Sequence, residues 1–338
     1  MMRNAVPEDI PVLKKIWKDI FGDTDNFINW FFDNRFTSDM SFVSEINGEI
    51  ACVIHSYPIK IKLGKKCVSA VMISGVATLP PYRKQGLMHG LFKYATDRLV
   101  QNGYYLCYYY PANPDFYKSL GHVNITENLV MNNVYSFYLE KEFTHTPLNS
   151  SHIPELKNLY EKFMSEYSGF VTRTNDFETK MQEYISENLQ VCLNLNAYII
   201  YHKTESTVEI LEIAGRFNRI EELLCSFNLP IKGKLPSNFP TEHLRGSIST
   251  AHGNMGGIMN VQKFLEEIGF DCPMLVEITD SIIPHNNGIF DLYGNKHNKK
   301  ADVTLTSGEL LQTVAGYKVH TALEKYFPEH NCFSQDLY

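Results

Sequence analysis

The sequence predicts a mixed α/β chain of the α+β kind, built from more than one unit, and three observations carry that reading. Over about the first 135 residues the hydrophobic periods run helix, meander, helix, strand, short helix, strand, the order of a mixed α/β layer. A weaker echo of that order follows a polar stretch at 144–151, and a small α+β segment closes the chain. With 338 residues the chain has room for two or three domains at roughly 150 residues each. Hydrophobic residues at 44% and charged residues at 20% exclude a disordered chain.

Ile10, Leu13, Ile16, Trp17, Ile20 and Phe21 recur at three- and four-residue steps and stop at Gly22, so they predict an amphipathic helix with a glycine cap. A second helix is expected over Asp25 to Phe32. Extended segments follow at Phe42 to Ile46, Glu49 to Leu63 and Lys66 to Leu79, and the turns at Asn47-Gly48 and Gly64 make them an antiparallel meander. Pro80-Pro81 ends it. Leu87, Leu91, Ala95 and Leu99 then share one helical face closed by Gly103, and Tyr104 to Tyr110 reads as an aromatic strand. A turn at Asp115 to Leu120 leads to one more strand, His122 to Met131.

In the echo, helices are expected at Pro154 to Tyr167, Asp176 to Asn188 and Ile220 to Phe227, with strands at Ala197 to His202 and Thr207 to Ile213. Leu229 to Gly257 is rich in Pro, Gly, Ser and Asn and reads as a loop region. The last stretch has strands at Met274 to Asp280, Gly288 to Tyr293 and Ala301 to Leu305, and Thr306 with Glu309 forms a capping box for a helix ended by Gly316.

Lys plus Arg against Asp plus Glu gives 31 − 38 = −7, and the longest lysine runs are pairs such as Lys65-Lys66 and Lys299-Lys300. No basic stripe exists for nucleic acid or anionic lipid, and a cationic substrate is favoured. Seven scattered cysteines without a C-x-x-C pair fit reduced, buried thiols. Nowhere do about 18 apolar residues run together, and the first residues lack the apolar core of a signal peptide, so a soluble cytoplasmic protein is expected. Twelve histidines show no H-E-x-x-H, so no metal site is expected. A G-x-S-x-G elbow is absent too, and Gly253-Asn254-Met255-Gly256-Gly257 reads as a flexible connection rather than a phosphate loop.

The stretch most informative for chemistry runs from Ser74 to Met88. A strand ending Val76-Ala77-Thr78 passes two prolines into Arg83-Lys84-Gln85-Gly86-Leu87-Met88, which opens a helix whose bare amides and positive dipole end can hold a phosphate. Gly86 removes the Cβ that would keep a pyrophosphate off the backbone, and Arg83 and Lys84 add charge. The same residues also fit an ordinary strand-to-helix turn with surface cations. No P-loop and no G-x-G-x-x-G is present.

This stretch resembles the acyl-coenzyme A motif of the GNAT N-acetyltransferase superfamily, R/Q-x-x-G-x-G/A after a strand, through Arg83 and Gly86. Met88 departs from the small last residue, and Gly86-Leu87-Met88 is close to the version in the Eis-like (enhanced intracellular survival) subgroup. Asp115-Phe116-Tyr117-Lys118-Ser119-Leu120-Gly121-His122 is similar to the segment whose tyrosine is the family's general acid. The resemblance implies a GNAT acetyltransferase domain at 1–145, a degenerate GNAT-like domain without cofactor loop at 146–245, and a C-terminal domain similar to sterol carrier protein 2 at 246–338. It also implies acetyl-CoA as co-substrate, a primary amine such as an aminoglycoside as acceptor, and a homo-oligomer, a hexamer in relatives.

Roles follow from what acetyl transfer needs. A bulge at about Gly75 would part the strand from its neighbour and free backbone donors on Val76, Ala77 and Thr78 for the pantetheine arm and the thioester oxygen. A thiolate near pKa 8.5 can take its proton from a tyrosine near 10, which makes Tyr117 the candidate acid, with core packing as its other reading. Ala112 and Asn113 stand where the resemblance implies cofactor contacts. The amine needs a base, and the resemblance implies the main-chain carboxylate of the last residue, here Tyr338; a frayed terminus is the alternative. Phe27, Trp30, Phe31, Phe32 and Phe36 either line an acceptor groove or pack the first helices, and packing is the favoured reading. Two further functions stay open: an acyl-CoA or lipid carrier without turnover, and an acetyltransferase for peptide or protein amines.

Overall fold

The structure is a computed structural model and describes residues 1–137, 142–174 and 176–337. The first unit starts with β1 (Met2–Asn4), α1 (Ile10–Phe21) and α2 (Asp25–Asn34), then the meander β2 (Ser41–Ile46), β3 (Glu49–Leu63) and β4 (Lys66–Thr78). It continues through α3 (Leu87–Gln101), β5 (Leu106–Tyr109), α4 (Pro114–Lys118) and β6 (Val123–Asn124). Next come β7 (Glu127–Ser136), β8 (His145–Pro147), α5 (Ile153–Met164), β9 (Phe170–Val171), α6 (Phe177–Ser186), β10 (Gln190–Asn194), β11 (Ala197–Lys203), β12 (Val208–Gly215) and α7 (Phe217–Leu224). The chain ends with β13 (Ile231–Pro236), β14 (Leu244–His252), β15 (Met255–Ile258), α8 (Val261–Ile268), β16 (Val276–Thr279), β17 (Gly288–Phe290), β18 (Lys296–His297), β19 (Val303–Thr306) and α9 (Ser307–Ala315).

Local chemistry explains most of these elements. Leu13, Ile16 and Trp17 form the buried stripe of α1, and Gly22 at φ 74° ends it as a left-handed cap. Thr24 caps α2 by accepting from the Phe27 amide at 3.1 Å. Asn47 and Gly48, both at positive φ, turn the β2–β3 hairpin. The capping box of Thr306 and Glu309 opens α9, and Gly316 at φ 75° closes it.

Three sheets result. The first is ordered β1-β2-β3-β4-β5-β15-β6, with β9 paired to β3; the second is β14-β7-β13-β12-β11-β10-β8; the third is β18-β17-β16-β19. Sheet membership does not follow the boundaries expected at 145/146 and 245/246. β7 leaves the first unit for the second sheet, whereas β15 inserts antiparallel between β5 and β6 of the first. One hydrophobic core joins α1, α2, α3 and the first sheet to α8, α9 and the third sheet, and a second core lies between the second sheet and α5, α6 and α7.

Two expectations need correction. The loop read at Leu229 to Gly257 contains β13, β14 and β15, because its glycines serve bulges rather than a flexible chain. Gly233 (φ 153°) and Gly246 (φ 137°) sit where the register with β7 shifts. The single strand read at His122 to Met131 is two strands in different sheets, β6 and β7, broken at Ile125-Thr126. The helix α8 was not read at all, although Asn260 caps it by accepting from the Lys263 amide at 3.0 Å.

Because β15 lies between β5 and the edge strand β6 in the first sheet, a fragment of residues 1–145 leaves one edge of β5 bare and β6 without a partner. Such a fragment is expected to show no cooperative thermal transition by circular dichroism, whereas the full chain melts cooperatively. A cooperative melt of the fragment would refute this dependence.

Candidate active site

The site is made where β4 and β5 part company. They pair in parallel only at Val71 with Cys107 and Met72 with Tyr108. β4 then runs on to Thr78 along β3, where Val53 faces Ala77 and Cys52 faces Thr78. Between those pairs the register slips: His55 faces Ser74, so Gly75 and Val76 together oppose Ile54 alone. Gly75 has φ 57°, the left-handed conformation of a glycine bulge. A Cβ there would stand 2.6 Å from a Trp17 ring carbon and 2.9 Å from His55. The edge of Val76 to Thr78 turned away from β3 is thus free of strand partners among the described residues.

A cavity of about 610 Å³ fills the opening, within the size range of small-molecule sites. Val76, Ala77, Thr78, Arg83, Lys84, Gln85, Gly86, Leu87, Met88, Ala112, Asn113 and Tyr117 all line it. Ile20, Tyr82, His89 and Phe116 complete the wall; Tyr82 and Phe116 lie inside the two motif stretches without a role of their own there, and Ile20 and His89 arrive from α1 and α3. At one end the loop into α3 places Lys84 (φ 62°) and Gly86 (φ 76°) in left-handed conformations, and Gly86 caps α3 without any side-chain hydrogen bond. The first amides of α3 therefore have no side-chain acceptor, and the space a Cβ at Gly86 would occupy is open. Arg83 donates through Nε to the Thr78 carbonyl at 3.0 Å, tying the loop to the end of β4. A diphosphate on bare amides beside Lys84 fits this arrangement, and acetyl-CoA is the group whose parts it would hold.

At the other end stands Tyr117 on α4, a helix capped by Asn113, which accepts from the Phe116 amide at 3.4 Å. Its ring lies 4.2 Å from that of Tyr109 and 5.9 Å from Phe92, centroid to centroid, and is parallel to His122 at 6.5 Å. Burial pushes its hydroxyl well above the ordinary tyrosine value. Behind it, the Tyr109 hydroxyl and His122 Nδ1 are hydrogen-bonded at 2.5 Å. Burial holds His122 down to about 4, so its ring is neutral at pH 7. This backing pair was not read in the sequence, where nothing distinguishes Tyr109 from its neighbours Tyr108 and Tyr110.

A second cavity, about 370 Å³, opens beyond the end of α1, where Gly22, Asp23 and Thr24 line it together with Phe27. Its wall is acidic: Asp23, Glu183, Glu187 and Glu209 outnumber Lys180, which is itself hydrogen-bonded to Glu183. Asp23 accepts from Trp17 Nε1 at 2.7 Å, so the ring that packs on the Gly75 bulge also holds one residue of this cavity's wall. Phe31 and Phe32 are buried around Trp17 and His55, which is packing, while Phe27 both packs and lines the acidic wall.

The tail returns to the same region. Gln335 pairs with Ile213 as a strand would, accepting from its amide at 2.7 Å and donating to its carbonyl at 2.9 Å. Asp336 meets buried Arg173 at 2.9 Å, and Arg173 meets Glu212 at 2.5 Å. Leu337 lines the acidic cavity. Tyr338 lies outside the described residues. Among the described residues no group of three His, Cys, Asp or Glu could hold a metal, and no helix is long and apolar enough to cross a membrane.

Comparison with known proteins gives the following. Residues 1–123 match the acetyltransferase (GNAT) domain model, and residues 261–326 match the sterol carrier protein domain model. No curated protein matches the chain. A probable N-acyltransferase from Enterococcus faecalis superposes with TM-score 0.79 at 17% identity, covering 100% of this chain and 99% of that one. A GCN5-related N-acetyltransferase from Anabaena variabilis gives 0.78 at 16%, and Eis1 from Mycobacterium abscessus 0.74 at 13%, each covering 100% of both chains. At such identities the likeness is one of fold.

Gly75→Ala should cost about 2–5 kcal/mol, from a left-handed non-glycine residue and its overlap with Trp17. A fall in the urea midpoint measures the cost, and an unchanged midpoint would show that the bulge tolerates a side chain.

Proposed function

We propose that this chain, an N-acetyltransferase by its GNAT domain, moves the acetyl group of acetyl-CoA onto a primary amine of a polycationic small molecule such as an aminoglycoside. The observation that carries the reading is the single cavity that gathers the unpaired β4 edge, the uncapped start of α3 and Tyr117. In this reading Gly86, Leu87 and Met88 hold the diphosphate through backbone amides, with Arg83, Lys84 and Gln85 around it. Val76, Ala77 and Thr78 bind the pantetheine arm and the thioester oxygen through the free strand edge, and Ala112 and Asn113 close the opposite wall.

Tyr117 donates the proton to the departing sulfur. Burial keeps it protonated throughout the neutral range but makes a full phenolate costly, so the proton passes as the C–S bond breaks rather than before. The acidic cavity supports a cationic acceptor. Ile20 lines the first cavity and Gly22 the second, so the last turn of α1 walls both. The main-chain carboxylate of Tyr338 is the proposed base, and the clamped residues Gln335, Asp336 and Leu337 support a tail held near that wall.

Release of CoA thiol in the presence of an amine panel tests the reading. Tyr117→Phe should lower kcat by about 10²–10⁴ while acetyl-CoA still binds. Arg83→Ala should act mainly on the KM for acetyl-CoA. Wild-type kcat should show no alkaline loss from Tyr117 below pH 10, because its raised pKa retains the proton. Binding of acetyl-CoA without thiol release by any amine would instead leave a carrier. Removal of residues 337–338 with unchanged turnover would end the role of Tyr338.

A further inference from the structure

Behind the candidate acid a chain of side-chain contacts runs from Tyr117 to the glycine-rich stretch at 253–257. The Tyr117 ring rests on that of Tyr109, and Phe92 and Phe116 meet it edge-on at 5.9 and 5.0 Å between centroids. The Tyr109 hydroxyl is in turn fixed by its hydrogen bond to His122 Nδ1. His122 also reaches Tyr117 through the main chain, since its amide donates to the Tyr117 carbonyl at 3.2 Å. On its far side the His122 ring fills the space beside Gly257 of β15, which pairs with Cys107 of β5. A Cβ on Gly257 would stand 2.2 Å from Cδ2 and 2.4 Å from Nε2 of that ring. Gly257 is an ordinary strand residue of β15, so the ring and not the backbone excludes a side chain there.

A general acid must stand within hydrogen-bond reach of the atom it protonates, and a misplacement of about 1 Å can cost about 10²-fold in rate. Tyr117 sits on a helix of five residues, too short to fix a ring by its own turns. We propose that His122 and Gly257 are positioning residues for the acid. Gly257 leaves the room in which the His122 ring stands, His122 fixes the Tyr109 ring, and Tyr109 backs the Tyr117 ring against the cavity. The inference rests on the reading that Tyr117 protonates the departing sulfur. Neither residue takes or gives a proton in this role.

The surroundings suit a rigid, uncharged support. Tyr109, His122 and Gly257 are all buried, so none can shift without displacing its neighbours. Burial keeps the His122 ring neutral at pH 7 and the Tyr109 hydroxyl protonated, so their hydrogen bond holds without placing a charge behind the acid. The role also accounts for Gly257 in a stretch whose composition reads as a flexible connection.

The test measures kcat, the KM for acetyl-CoA and Tm for Tyr109→Phe, His122→Leu and Gly257→Ala, each alone and combined with Tyr117→Phe. Each variant alone should lower kcat by about 10- to 10²-fold and leave the KM for acetyl-CoA within about twofold of wild type. In the Tyr117→Phe background none should lower kcat further, because residues that act through one acid cannot lose it twice. A purely structural role would lower Tm and repeat the same loss of kcat in both backgrounds. Tyr109→Phe keeps the ring, so it decides the matter if Gly257→Ala or His122→Leu does not fold. The proposal falls if Tyr109→Phe turns over like wild type, or if its loss recurs in full beside Tyr117→Phe. Full turnover by Tyr117→Phe alone, or a wild type that acetylates no amine, instead overturns the reading on which the proposal rests.

Discussion

The constraint on which the rest depends is the early parting of β4 from β5. Two parallel strands that stayed paired to their ends would satisfy one another's amides and leave no room for a ligand between them. Here pairing stops at Met72 and Tyr108, and the bulge at Gly75 and Val76 turns the remainder of β4 toward β3. The bulge is held from one side by Trp17, whose ring occupies the space that any side chain at 75 would need. Strand, helix α1 and cavity are therefore one mechanical unit: the glycine allows the bend and the tryptophan braces it.

A second constraint comes from the far end of the chain. β15 lies between β5 and β6 in the first sheet while β7 belongs to the second, and the tail returns until Asp336 meets Arg173. Arg173 is buried with Glu212 and Asp336, and a buried ion cluster of this kind is costly to break because removing one partner strands the others. The geometry around the candidate site thus needs the whole chain, not the first 123 residues that match an acetyltransferase domain by themselves.

Elements with strong local signals were legible. The 15-residue strand Glu49–Leu63, the box of Thr306 and Glu309, and the glycine caps at Gly22 and Gly316 all stand where their residues place them. Each depends on contacts within a few residues. What was not legible depends on partners far away. The segment with β13, β14 and β15 has the composition of a loop, and only its pairing with β7 and β5 turns those glycines into bulges and strand residues. The break between β6 and β7 was hidden for the same reason, since both halves are extended and differ only in which sheet receives them.

By itself the sequence determined the α/β character and the turn into α3 with its bare amides, because capping, glycine conformation and hydrophobic period are short-range properties; the candidate phenol at 117 came from the resemblance of its segment to an acetyltransferase motif. It could not determine that Ile20 joins the cavity wall or that His122 and Tyr109 stand behind Tyr117. Those juxtapositions join residues as far apart as Ile20 and Tyr117, 117 − 20 = 97 positions, and arise only when sheets and helices pack. Burial, and with it the raised titration of Tyr117, belongs to that packing, since the same side chain on an open chain would keep its ordinary value.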